Sequence, residues 1–237
     1  MLDDFFPANL GLKQNYLYEI LATTFSKEEI FIPNTSCMGI RVIENNLIQI
    51  KPFPNTRTYN NLKATGIITI NFIGDVYLYA LAALKSPDSS IQFPLKYYDF
   101  MELENPFNED TEISTITIPF IKKAWAILTC IIAGEKDVLK KDQMGEFIIP
   151  EFKLHVISYK KLKDSHKLFN RAENLALESI ILATRLSIAK DQGDKSLLNT
   201  IHGKLTDNIE NIDRFGKNEK AIKAIEVIKQ YIKNLTI

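Results

Sequence analysis

At 237 residues with 46% hydrophobic content, the chain is long enough to bury a core and too apolar to stay disordered. Its 29 Lys plus Arg balance 29 Asp plus Glu, so no net field draws it to nucleic acid or anionic lipid. The opening MLDDFFPANLGLKQ lacks the basic start and apolar run of a secretory signal, no apolar run approaches the roughly 18 to 20 residues of a membrane span, and two cysteines make no disulfide framework. A cytoplasmic protein that engages neither membrane nor nucleic acid is expected.

Short runs rich in β-branched and aromatic residues come first: YLYEILATTF (16–25), TSCMGIRVI (35–43) and NLIQIKPF (46–53). A short helix, TRTYNNLKAT (56–65), follows, with Gly66 as its C-cap, and behind it lies the strand TGIITINFI (65–73). A second helix, DVYLYALAALKS (75–86), starts at Asp75 as N-cap and has Pro87 beyond its end. Residues 87–120 hold four prolines and no sustained period, so they form either a long functional loop or short elements that the pattern does not resolve. AWAILTCIIAGEK (124–136) and EFIIPEFKLHVISY (146–159) complete a set of strands suited to an antiparallel barrel or sandwich. Trp125 is expected to anchor the core, Cys37 and Cys130 to be small buried residues, and His155 to be a partly buried strand residue.

Near residue 165 the period becomes helical. In FNRAENLALESIILATRLSIAKDQGD (169–194), Leu175, Ile180, Leu182, Leu186 and Ile188 recur at helical intervals, with Asn170 as N-cap, Glu173 completing a capping box and Gly193 closing the run. A shorter helix around KSLLNTIHGKL (195–205) and a last one over 218–235, with Ile222, Ile225, Ile228 and Ile232 on one face, make a helical carboxyl-terminal part. The expected division is a β domain over 1–163 and a helical domain over 164–237.

Several chemistries lose their signatures. The nine glycines never fall as G-x-G-x-x-G or in a P-loop, no G-x-S-x-G occurs, and the three histidines and two cysteines are too scattered for a metal site. Two stretches stand out against these absences. In FPNTRTYNNL, a helix start offers free N–H groups, Thr56 and Thr58 offer hydroxyls, and Arg57 can meet a phosphate with two parallel bonds; the same residues are equally a capped helix with a solvated arginine, which is the commoner pattern. In NTSCMGIRV (34–42), small polar residues and Gly39 would let a flat ligand approach the backbone, or Gly39 would mark a β-bulge.

The succession of segments resembles an archaeal family known as DUF447. That family has Thr-Thr ending an early strand, then Asn-x-x-x-Met-Gly-Val, Arg-Thr-Tyr-x-Asn-Leu and Val-Asn; the chain has Thr23-Thr24, Asn34 with Met38-Gly39-Ile40, Arg57-Thr58-Tyr59 with Asn61-Leu62, and Ile70-Asn71. Asn170-Arg171 and Ala183-Thr184-Arg185-Leu186 match its helical part. The chain departs from it at Ser36-Cys37, where relatives have Ala-Pro, and at the bulkier Glu173-Asn174.

The resemblance implies a mainly β, antiparallel, Greek-key split barrel of six strands that binds FMN, followed by an α-helical carboxyl-terminal domain, α+β in all. It implies a homodimer with the flavin near the subunit interface. Arg57 and Thr58, backed by Thr56 and Asn61, would hold the phosphate; the backbones of Ser36, Cys37, Met38 and Gly39 would line the isoalloxazine ring, with Asn71 as a further contact. The activity implied is that of a flavin-reductase-like, FMN-dependent oxidoreductase, with a non-catalytic flavin carrier or dimeric scaffold as the alternative. No residue is assigned as a catalytic acid or base, and no metal is expected.

Overall fold

The computed structural model describes residues 7–26, 31–85, 93–107, 114–142, 145–164, 171–215 and 218–235. In chain order the elements are β1 (Leu17–Phe25), β2 (Pro33–Glu44), β3 (Leu47–Ile50), α1 (Arg57–Thr65), β4 (Ile67–Phe72), α2 (Val76–Ala83), β5 (Tyr98–Glu104), β6 (Thr115–Ile121), β7 (Ala126–Asp142), β8 (Gly145–Lys161), α3 (Arg171–Asp191), α4 (Lys195–Phe215) and α5 (Glu219–Asn234).

Six strands close into an antiparallel barrel in the order β1-β2-β3-β8-β7-β4, with β4 pairing back onto β1. Alternation makes the interior. Ile20 and Ala22 of β1, Ile40 and Val42 of β2, Ile48 and Ile50 of β3, and Phe152, Leu154 and Val156 of β8 point into one apolar cluster, while Lys153 and His155 between the β8 set are exposed. His155 is therefore a strand residue but not a buried one. Cys130 lies in the cluster, and burial pushes its thiol pKa up, so it behaves as a small hydrophobe. Trp125 is only partly buried and leans on the core with its ring 5.4 Å from Phe72.

The short helix α1 packs on the barrel. It buries Thr58, Asn61 and Leu62, an i, i+3, i+4 set that forms one face, and Leu62 and Tyr59 reach the barrel core. The Tyr59 ring meets Phe152 edge-on at 6.0 Å. Gly66 ends the helix as expected, at φ 72° with its N–H bonded to Leu62 O.

Residues 87–120 are not one long loop. Pro94 opens a 3-10 turn at Leu95–Tyr97, and β5 and β6 then pair as a separate two-stranded sheet. The sequence hid β5 because YDFMELE exposes most of its length and mixes acids among its apolar residues. This sheet is tied to β4 through Asn71, whose Oδ1 accepts the Ile121 N–H at 2.8 Å. β4, IITINF, is buried at every residue, so it is covered on both faces.

The second compact unit comprises residues 74–93 and 166–237, so the chain divides differently from the expected boundary at 163/164. α2, capped by Asp75 as expected, belongs with α3 and α5. Its VYLYALAA has no polar face, as befits a helix enclosed by others. The expected short helix at 195–205 continues to Phe215 as α4. Of the two apolar stripes, Ile180, Leu182, Leu186, Ile225 and Ile228 are buried, whereas Ile188 and Ile222 face outward at 39% and 38% exposure. Alanines fill the closest approaches instead: Ala176, Ala183, Ala189, Ala221 and Ala224 are fully buried. The Asn170 cap and the Pro87 stop fall outside the described residues.

Beyond its pairing with β4 and β3, the β7–β8 hairpin continues as a two-stranded ribbon. Glu151 at its base has a side chain 5% exposed and receives Lys51 Nζ at 2.9 Å and Lys136 Nζ at 3.1 Å. Burial acts to raise its pKa, but hydrogen bonds from the two lysines outweigh it and hold the carboxyl below its ordinary value. A depressed folded-state pKa contributes stability above the unfolded value, lost as pH falls through the folded one. Urea midpoints measured downward from about pH 5 through the carboxylate range should fall more steeply for the native chain than for Glu151→Gln; parallel profiles would mean that the pair contributes nothing.

Candidate functional site

β2 is longer than its partners allow it to be covered. β1 pairs with Pro33–Arg41, but β3 pairs only with Ile40–Glu44, so from Pro33 to Gly39 the other edge of β2 has no strand beside it among the described residues. Here the barrel is open, and backbone groups of alternate residues face outward from the edge. The predicted ring-lining residues Ser36, Cys37, Met38 and Gly39 all lie on this segment. Their side chains alternate: Ser36 and Met38 share the inward face with Ile40, and Cys37 and Gly39 share the outward face with Thr35. Only their backbone can serve one ligand together. The β2 irregularity falls between Val42 and Glu44 rather than at Gly39. At Gly39 a Cβ would stand 2.8 Å from Leu17 Cδ1, so glycine there lets the Leu17 side chain lie across the strand.

The start of α1 sits against this segment. Asn55 takes a positive φ of 62°, a conformation Asn tolerates, and turns the chain into Thr56 at φ −80°, ψ 154°. Thr56 Oγ1 accepts from Tyr59 N–H at 3.3 Å and donates to Phe53 O at 2.8 Å, which makes it the helix cap. Thr58 is buried, and its hydroxyl accepts from Asn34 Nδ2 at 2.9 Å and bonds Ser36 Oγ at 2.8 Å. Asn61, also buried, donates to Thr24 Oγ1 at 3.3 Å. Thr56 and Arg57 are both exposed, but Arg57 alone of Thr56, Arg57 and Thr58 has a side chain with no hydrogen-bond or ionic partner among the described residues, where the N–H groups of Arg57 and Thr58 are likewise unpaired. A helix amino terminus with two open N–H groups and a free guanidinium beside it suits an anion.

The geometry thus brings together Ser36, Thr58 and Arg57, with Thr56 shaping the turn and Asn61 behind it. Asn71 is elsewhere. It lies on the outer face of β4, fully buried, with Nδ2 donating to Leu21 O (2.9 Å), Thr23 Oγ1 (3.0 Å) and Thr69 O (3.2 Å). With Oδ1 accepting from the Ile121 N–H, its amide joins β1, β4 and β6, apart from the α1–β2 region. Sequence reasoning assigned no role to Asn34 or Thr24; the signal was their placement opposite one another in the β1–β2 hairpin, Thr24 with Asn34. Two clefts lined by Gln14, Glu44 and Asn45 lie at the other end of β2 and take no part in this site. Among the described residues no three His, Cys, Asp or Glu could hold a metal ion, and no helix is long and apolar enough to cross a membrane.

Residues 18–134 match the family model for the N-terminal domain of DUF447, a protein of unknown function. Over these residues the chain carries the DUF447 N-terminal domain. Among solved structures, it is similar to the FMN-bound DUF447 protein of Methanosarcina mazei, at 18% identity and a TM-score of 0.66 over 94% of this chain and 98% of that one. The two share a fold, an α+β architecture in which helices follow a six-stranded split barrel. More distant are the flavin reductase HpaC complexed with NADP+ (15% identity, TM-score 0.44, 67% of this chain and 87% of that one) and the styrene monooxygenase flavin reductase of Pseudomonas putida S12 (12%, 0.44, 65% and 84%). No curated protein matches the chain.

The division of labour in the DUF447 turn is open to measurement. Thr56→Ala should cost about 1 kcal/mol of unfolding free energy in urea, the usual loss for a Thr cap, and Thr56→Ser should restore it; an unchanged midpoint in the alanine variant would show that the cap contributes nothing.

Proposed function

We propose that this chain binds FMN and works as a flavin-reductase-like oxidoreductase. The observation that carries the reading is Arg57, exposed at the amino terminus of α1 and, among the described residues, without a hydrogen-bond or ionic partner, beside an edge of β2 that no described strand covers. Those residues fit the group: Arg57 and the N–H groups of Arg57 and Thr58 suit a phosphate, and the edge of β2 from Ser36 to Gly39, with no strand beside it among the described residues, suits the polar rim of a flat ring system. The FMN-bound relative with the same fold supports the choice of flavin.

When bound, the flavin supplies the redox chemistry, and the protein's part is to orient it and control access. Thr58, held by Asn34 and Ser36, fixes the first turn of α1 against β2 and thereby sets where Arg57 stands. Thr56 keeps the helix start in shape, and Asn61 ties the helix to β1 through Thr24. A homodimer is part of the proposal, with a second copy covering the flavin; the exposure of Arg57 leaves room for it. Glu19 pairs with Gly39, but among the described residues near the β2 edge the geometry assigns no carboxylate or imidazole to proton transfer, so a flavin carrier without turnover is the reading to be separated by assay.

Purified protein should carry or take up FMN and bleach on addition of NAD(P)H; binding without bleaching would mean a carrier, and a protein that gains no thermal stability from FMN would overturn the flavin reading. Arg57→Ala should weaken FMN by roughly 10- to 100-fold, the worth of one charge-assisted contact, and leave riboflavin almost unchanged. Equal weakening of the two ligands would remove Arg57 from the phosphate.

A further inference from the structure

The outer face of the barrel carries a row of hydroxyl residues that the proposed flavin site does not use. In register across five neighbouring strands stand Thr35 on β2, Thr23 on β1, Thr69 on β4, Thr129 on β7 and Ser158 on β8. The first four are buried at 1% exposure or less, and Ser158 is half-buried. Threonine suits a strand, but a fully buried run of them on adjacent strands is a costly choice for packing alone, because each hydroxyl must find a partner.

One end of the row is satisfied. Thr23 Oγ1 and Thr35 Oγ1 lie 3.0 Å apart, Thr35 reaches the Tyr98 hydroxyl at 2.8 Å, and Asn71 Nδ2 donates to Thr23 at 3.0 Å. Burial pushes the Tyr98 pKa up, so the phenol keeps its proton and remains a hydrogen-bonding partner. The middle is not. Thr69 Oγ1 and Thr129 Oγ1 have no hydrogen-bond partner among the described residues, although the two residues face each other across the β4–β7 ladder. Side chains directly opposite on one face of an antiparallel pair have their Cβ atoms about 4.5 to 5.5 Å apart, a span that one water molecule bridges with two ordinary hydrogen bonds. Ser158 beside Thr129 and Thr23 beside Thr69 supply further polar neighbours, within the two to four partners that buried waters typically have.

We infer that Thr69 and Thr129 hold an ordered internal water that continues the Tyr98–Thr35–Thr23 hydrogen-bond chain across the sheet toward Ser158. The site is distinct from the α1–β2 region: its ligand is water, and it lies on the outward face, whereas Thr24, Asn34 and Ser36 occupy the inward one. Its role is to bind β4 to β7 by side-chain hydrogen bonds as well as through the backbone ladder.

The test turns on a sign. Valine is nearly isosteric with threonine, so if the hydroxyls are orphaned, Thr69→Val or Thr129→Val should raise the melting temperature, since a buried unsatisfied polar group has been removed. If they share a water, each single valine should lower it by about 2 to 4 °C, as expected for loss of one hydrogen bond in a chain of this size. The double variant should then lose less than the sum of the singles, because the shared partner is already gone. A crystal structure of the native chain should show a water within hydrogen-bond distance of both Oγ1 atoms. Stabilisation by either single valine, additive losses in the double variant, or hydroxyls turned to bond each other directly with no water between them would each overturn the inference.

Discussion

The buried hydroxyl of Thr58 is where the local pieces of this fold meet. It takes one hydrogen bond from Asn34 and shares another with Ser36, so it fastens the first turn of α1 to the opening half of β2. Thr58 and Asn34 are both buried, where polar groups need partners. From this anchor the rest of α1 follows: Tyr59 and Leu62 fall into the barrel core, Asn61 reaches Thr24, and Gly66 releases the chain into β4. Arg57, one residue before the anchor, is left outside. A helix that docks in this way holds to β2 through the side chains of Asn34 and Ser36 in place of a backbone ladder and leaves the edge beyond them without a strand among the described residues.

Alternation along the β1–β2 hairpin sorts its polar residues into two populations. Thr24, Asn34 and Ser36 point inward toward α1, whereas Thr23 and Thr35 point outward toward Tyr98 and Asn71. Adjacent residues that look alike in the sequence therefore serve different neighbours. This is why Asn71, which shares a motif with Ile70, turned out to be a structural amide: it sits on the outer face, where its two donors and its carbonyl oxygen are claimed by β1, β4 and β6.

Features with local causes were legible in the sequence. The six barrel strands announce themselves by β-branched runs, Thr56 and Gly66 by their cap chemistry, and α3 and α5 by their helical period. What escaped needed distant partners. The roles of Thr56 and Thr58 cannot be separated from TRT alone, because Asn34, far back in the chain, decides which hydroxyl is buried. β5 was lost among acids on an exposed sheet, and α2 looked like an insertion in the barrel because its real neighbours, α3 and α5, come at the end of the sequence. Outward-facing Ile188 and Ile222 show the opposite error, in which a sound period is read one residue too widely and small alanines hold the contact positions instead.

The order of strands around the barrel constrains how the chain comes into being. β3 is closed not by a sequence neighbour but by β8, with Leu47 opposite His155, and β4 waits for β7. During synthesis the first four strands therefore emerge as an open sheet, β4-β1-β2-β3, with both outer edges bare until the β7–β8 hairpin has left the ribosome. That hairpin is the closing stave, and it is itself local, so it can form as a unit before it inserts. Strand pairing over such separation is the slow part of folding. A chain that ends before the β7–β8 hairpin thus leaves the edges of β3 and β4 without the strands that pair with them, and unpaired edges of this kind are templates for aggregation.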